Sequence, residues 1–250
     1  MPPRASSACR VLVLGGAGSL GSAILERLLA VHRFERVGIV VTQPVEAALR
    51  GLSVLADDTA AWATFAADSA VIVFDRLRQA HGREDAFLRP QPAELVSCAR
   101  RLHEAGVRRL LVALPHRAAL LPQALRVGLA HLDEAAVAAL DFEQLAFMRL
   151  ATSAAEVEGQ SLSAPQRLAH WILSQLHWMI PAAEQPVRSL TVARVVTELL
   201  LAWPEAAQGT RIMPQALLLH AAAGTDAGVL VQRWLAGEPL PPVKPGRQRW

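Results

Sequence analysis

The stretch VLVLGGAGSLGSAILERLL, Val11 to Leu29, decides the fold. Val11 to Leu14 is an apolar run of strand length. Four glycines follow within seven residues, and from about Ser19 to Val31 the chain reads as a helix. Gly16, Gly18 and Gly21 satisfy G-x-G-x-x-G, and Gly15, Gly18 and Gly21 satisfy the G-x-x-G-x-x-G variant. The spacing has a physical reason. One glycine turns the chain off the strand, the next lets backbone N–H groups approach a pyrophosphate, and the last lets the helix pack close to the sheet. The first helical residues, Ser19 and Leu20, then offer free N–H groups and the positive end of the helix dipole to an anion. Two readings stay open for Gly15, Gly16, Gly18, Ser19, Leu20 and Gly21: a cradle for NAD or NADP, or a loop that keeps its glycines for packing alone.

Outward from this stretch, apolar runs alternate with helical patterns. Strands are expected at Arg36–Val41, Ser53–Ala56, Ala70–Phe74, Arg109–Leu114 and Leu145–Leu150. Helices are expected at about Pro92–Ala105, ended by Gly106, and at Gln123–Leu140. The strands are continuously apolar, as strands buried on both faces of a parallel sheet must be. The prediction is an α/β, Rossmann-type, doubly wound parallel sheet. After Leu150 the texture turns helical, at Ser161–Ile180, Thr191–Trp203, Ala216–Ala223 and Ala227–Leu235. We expect a small helical C-terminal lobe beside the strands' carboxyl ends. Residues 1–235 then form a single domain, with a core sheet over about 10–150 and a lobe over about 151–235, and 236–250 form a proline-rich tail.

The residues after each strand bear on a cofactor. An acidic residue after the second strand would hold ribose hydroxyls, and an arginine would suit a 2′-phosphate. Here Thr42, Gln43 and Pro44 follow, so Thr42 is the candidate contact and the choice between NAD and NADP stays undetermined. Asp57, past the third strand, can meet an adenine amino group; it or Asp58 can instead cap a helix starting at Thr59.

With these residues in view, the chain resembles the atypical short-chain dehydrogenase/reductases, closest in flavour to the NmrA-like and Tat-interacting-protein-like branch. The resemblance rests on GGAGSLG after the first strand, LADD after the third, RRLLVAL as the fifth, FMRL as the sixth and the helix PVRSLTVARVVTELLLAW. Arg149 keeps the first position of that family's Arg-Pro-Gly, while Leu150 and Ala151 replace the rest. The resemblance implies NAD(P) binding and places Phe74 against the cofactor. Phe74-Asp75-Arg76 is bulkier and more charged than the small residues common there.

The family's catalytic members pair a Ser with a Tyr-x-x-x-Lys, in which the lysine lowers the tyrosine pKa for proton exchange during hydride transfer. Here Pro115 and His116 stand where the hydroxyl is expected, and Arg126 and Ala130 fall near the Tyr and Lys positions. No alignment shift restores the motif, since the chain has no tyrosine and its one lysine is Lys244 in the tail. His116 is the replacement acid by position and pKa; a polar turn at His116-Arg117 is the plainer reading. Asp75 is a second candidate acid, or half of an Asp75–Arg76 surface pair.

Composition excludes other classes. The chain is 52% hydrophobic and 19% charged with a net charge of +3, and no clustered basic face points to nucleic acid. The two cysteines, Cys9 and Cys98, match no metal or redox spacing, and His131, Asp133 and Glu134 read as a solvated helix face. No metal, no signal peptide and no membrane segment is expected, and the setting is expected to be cytoplasmic. Trp171 and Trp178, seven apart, form either core or a wall for a small molecule or protein partner; Pro239-x-x-Pro242-x-Lys244 matches a polyproline ligand pattern. Family likeness also offers a homodimer. The expected function is an NAD(P)-binding short-chain dehydrogenase/reductase-like protein without standard reductase chemistry, acting as a redox-sensing regulator or an accessory or assembly factor. The alternatives are an oxidoreductase or isomerase with a non-tyrosine acid, and an interaction protein that binds no cofactor.

Overall fold

The computed structural model describes residues 9–45, 49–75, 86–116, 133–151 and 187–241. Seven strands form one sheet: β1 (Arg10–Leu14), β2 (Arg36–Val41), β3 (Leu52–Ala56), β4 (Ser69–Val73), β5 (Arg109–His116), β6 (Gln144–Ala151) and β7 (Gly209–Met213). Their order is β3-β2-β1-β4-β5-β6-β7, and every neighbouring pair is parallel. The chain therefore winds outward from β1 in one direction and then, from β4, in the other. The carboxyl ends of β1 and β4 flank the switch point, where ligands bind in such sheets. This is the Rossmann topology expected from the sequence.

Both faces of the sheet are covered. On one side lie α1 (Ser19–Ala30), α4 (Ser189–Ala202), α5 (Gln215–Ala222) and α6 (Ala227–Leu235), with α1 packed against α4. Val11, Val13, Val71, Leu111 and Met148 point to this side. On the other lie α2 (Thr59–Phe65), α3 (Leu95–Glu104) and helical residues 133–138, over Leu12, Leu14, Ile72, Val112 and Phe147. Alternate residues of one strand thus enter different cores, which is why the inner strands β2, β1, β4 and β5 are apolar at most positions.

The structure departs from the sequence reading after Leu150. A seventh strand, β7, extends the sheet beyond β6, where only helices were expected. It lies at an edge, and Met213 is the one buried residue among its five. Buried Gln144 at the start of β6 fixes its approach. The Gln144 amide nitrogen donates to the carbonyls of Trp203 (2.8 Å) and Ala206 (2.7 Å), just before β7. Helices α4 to α6 cover a face of the sheet, not its carboxyl edge, because the apolar sides of β1, β4, β5 and β6 need that cover. The expected helices at Ser161–Ile180 and over the first part of Gln123–Leu140 lie outside the described residues.

The start of the tail is held in place: the His220 ring Nε2 lies 2.6 Å from the Pro241 carbonyl, and Arg233 donates to the Pro239 carbonyl at 3.1 Å. Residues 242–250, with Pro242 and Lys244, lie outside the described part. Among the described residues, no helix is long and apolar enough to cross a membrane.

Candidate functional site

The glycine turn after β1 and the residue following β4 meet because β1 and β4 are neighbours. Gly15 has φ of +90°, a conformation that favours glycine, and a Cβ there would lie 2.1 Å from the Val73 carbonyl oxygen. A Cβ on Gly21 would lie 2.0 Å from the Gly15 carbonyl oxygen, so glycine lets α1 rest on the turn. Packing alone therefore requires both residues.

Gly18 is the N-cap of α1 and brings no side chain to the task. The N–H groups that a capping side chain ordinarily satisfies are those two and three residues on, here Leu20 and Gly21. Asp75 supplies the missing acceptor from the end of β4. Leu20 N–H donates to its Oδ2 at 2.5 Å and Gly21 N–H to the same oxygen at 3.4 Å. A carboxylate at this place is also favoured by the helix dipole. A Cβ on Gly18 would lie 2.2 to 2.5 Å from the Asp75 carboxylate and Cβ. The third glycine thus leaves room for an anion, and that anion is the chain's own.

Gly15, Ala17, Gly18, Val73, Asp75, Arg89 and Pro90 line a partly open cleft at this turn. Arg89 arrives by a route that the sequence does not announce. Phe87 forms an antiparallel bridge with Val41, and Leu88 N–H donates to the Val40 carbonyl at 3.0 Å. The segment from Ala86 to Pro90 thus leads from the carboxyl end of β2 to the glycine turn. Thr42 takes part: its backbone N–H (2.7 Å) and its hydroxyl (3.2 Å) both donate to the Ala86 carbonyl.

Asp57 is also engaged. Arg101 of α3 approaches its carboxylate at 2.7 Å, donates from Nε to the Thr59 hydroxyl at 3.1 Å, and stacks 4.1 Å over the Trp62 ring. Asp58, not Asp57, caps α2, accepting from Ala61 N–H at 3.3 Å. Phe74 is buried in the core beneath α2 and α3, and its N–H donates to the Ala113 carbonyl at 3.1 Å.

The structure thus brings the glycine turn, Thr42, Asp57 and Phe74 to the carboxyl ends of four adjacent strands. His116 belongs to the carboxyl end of β5, which runs on past Leu114 and pairs His116 with Ala151. Its side chain lies outside the described part. Asp75, which the sequence offers as a candidate acid or as half of a surface pair with Arg76, accepts from the Leu20 and Gly21 amides at Oδ2.

Two other polar candidates are structural. Glu134 is buried, contrary to the solvated face expected of it, and Arg149 grips it with two hydrogen bonds of 3.3 and 2.7 Å. The family-like arginine at the end of β6 thus ties the sheet to helical residues 133–138. Among the described residues, no cluster of His, Cys, Asp or Glu is placed to hold a metal. His131, Trp171 and Trp178 lie outside them.

No family model and no curated protein matches the chain. Solved structures do. A Bacillus halodurans protein described as an NAD-dependent epimerase/dehydratase is 14% identical, with 90% of this chain covering 99% of that one at a TM-score of 0.52. A nucleoside-diphosphate-sugar epimerase from Staphylococcus aureus is 14% identical over 91% of this chain and 89% of its own, with a TM-score of 0.48. A Rossmann-fold NAD(P)-binding family protein from Shigella flexneri is 16% identical over 80% and 90%, with a TM-score of 0.47. At these identities the likeness shows the fold alone, and the first of the three carries it.

Proposed function

We propose that the chain is an NAD(P)-binding Rossmann protein of the atypical short-chain dehydrogenase/reductase type, one that responds to the dinucleotide without Tyr–Lys reductase chemistry. In this reading it works as a redox-sensing regulator or as an accessory or assembly factor. One observation carries the reading: the Leu20 and Gly21 amides at the switch point of the sheet converge on a carboxylate oxygen. Two converging amides at a helix N-terminus suit a phosphate equally well.

The residues fit the group in outline. The Gly15–Gly21 backbone would hold the diphosphate with Arg89 beside it, Thr42 would face the ribose, and Asp57 the adenine. When bound, the dinucleotide would supply hydride chemistry, but this chain offers no tyrosine to exchange the proton. Titration with NADH and with NADPH, followed by nicotinamide fluorescence and thermal shift, tests the reading. Saturable binding is expected, lost in Gly18→Asp, whose side chain fills the phosphate approach. Absence of binding of either dinucleotide at millimolar concentration, by wild type and by Asp75→Ala alike, overturns it.

A second reading, an interaction protein on a Rossmann scaffold without a cofactor, draws support from Thr42 and Asp57, each already paired within the chain.

A further inference from the structure

We infer that Asp75 is a built-in competitor of the dinucleotide: its carboxylate stands where the diphosphate would stand, and binding requires it to leave. The inference rests on the reading of the glycine turn as a dinucleotide cradle. It deepens that reading by making occupancy of the cradle a choice between two anions.

Three observations carry it. First, Asp75 Oδ2 uses the amides of Leu20 and Gly21, the donors that a diphosphate on this turn would need. Second, Asp75 itself lines the cleft at the glycine turn, together with Gly15, Gly18 and Arg89, where the diphosphate would lie. Third, the other ends of the cradle are closed by the chain itself. Both Thr42 donors go to the Ala86 carbonyl, and the Asp57 carboxylate goes to Arg101. The contacts for phosphate, ribose and adenine, on three separate loops, are thus paired internally.

The consequence is quantitative. A ligand that binds only the state in which Asp75 has left sees its affinity reduced by the fraction of molecules in that state. Because Asp75 is tethered beside the amides, it competes at an effective concentration far above that of any free anion. Wild-type binding is then weak, and whatever draws Asp75 away makes the protein receptive.

The test compares wild type, Asp75→Ala, Asp75→Asn and Gly18→Asp by titration with NADH and NADPH, with melting curves of each ligand-free protein. The expected result has two parts. Asp75→Ala binds at least tenfold more tightly than wild type, although its ligand-free melting temperature is lower for want of the helix cap. Asp75→Asn, which keeps the shape without the charge, falls between them. A residue that served only as a cap would lower the melting temperature without tightening binding. If Asp75→Ala proves unfolded by circular dichroism, tighter binding by Asp75→Asn supports the inference in its place. If wild type binds and neither Asp75 variant binds more tightly, the inference is overturned while the dinucleotide reading stands. If neither wild type nor the folded variants bind at millimolar concentration, both fall.

Discussion

At Gly18 a helix begins without a capping side chain of its own, and the acceptor comes from a residue 55 positions beyond Leu20. This pairing was only partly legible in the sequence. The bare glycine N-cap and an aspartate at the end of a strand are both visible there. What joins them is that β4, not β2, lies on the other side of β1, and no local pattern encodes that. Ligand-free Asp75→Ala should lose about 1 kcal/mol of stability, the ordinary value of an N-cap, in urea unfolding. Arg149 makes a different point. Its removal strands a buried Glu134 carboxylate, so Arg149→Ala should cost about 2 kcal/mol, whereas Arg149→Met with Glu134→Leu should recover most of the loss. Cys98 sets an alkaline limit. Burial, and secondarily the Glu94 charge, push its thiol up to about 11 from the ordinary 9.0. A raised thiol favours the folded state below pH 9, and that contribution is lost as the pH rises toward 11. Stability should therefore decline across that window, and Cys98→Ala should flatten the decline in denaturation curves measured from pH 8 to 11.

The elements that the sequence displays plainly are those that bury both faces. β1, β2, β4, β5 and β6 are long apolar runs, and each lies within two residues of its expected bounds at either end. β7 was not legible, for a physical reason: GTRIM sits at an edge with four of its five residues at least partly in water, so it carries no apolar signature. Its place depends on long-range bonds from Gln144, whose side chain reaches carbonyls some 60 residues away. Gln144→Leu should therefore leave the Trp203 and Ala206 carbonyls short of a donor at a cost of about 1 to 3 kcal/mol. Hydrogen exchange should then quicken in the β7 amides before it does in β1 or β4. The helices after Leu150 were visible as helices, but their placement on the α1 face follows from the sheet's need for cover, which only the assembled strand order discloses.

Over the whole molecule, a doubly wound sheet presents its switch point to a glycine turn, and the chain has placed its own carboxylate in that turn. The absence of tyrosine was readable from composition and removes the usual proton donor. The internal pairing of Thr42, Asp57 and the α1 amides was not readable, since each partner lies more than 40 residues away. In the proposed reading the glycine turn is a dinucleotide cradle that the chain's own carboxylate occupies, which suits a protein that reports on a nucleotide better than one that turns it over. The most direct measurement is a crystal structure after soaking with NADH or NADPH at millimolar concentration. The account predicts diphosphate density against the Leu20 and Gly21 amides, with the Asp75 carboxylate moved away from both. Diphosphate density against those amides with the Asp75 carboxylate still bonded to them, or no nucleotide density in either wild type or Asp75→Ala, would contradict it.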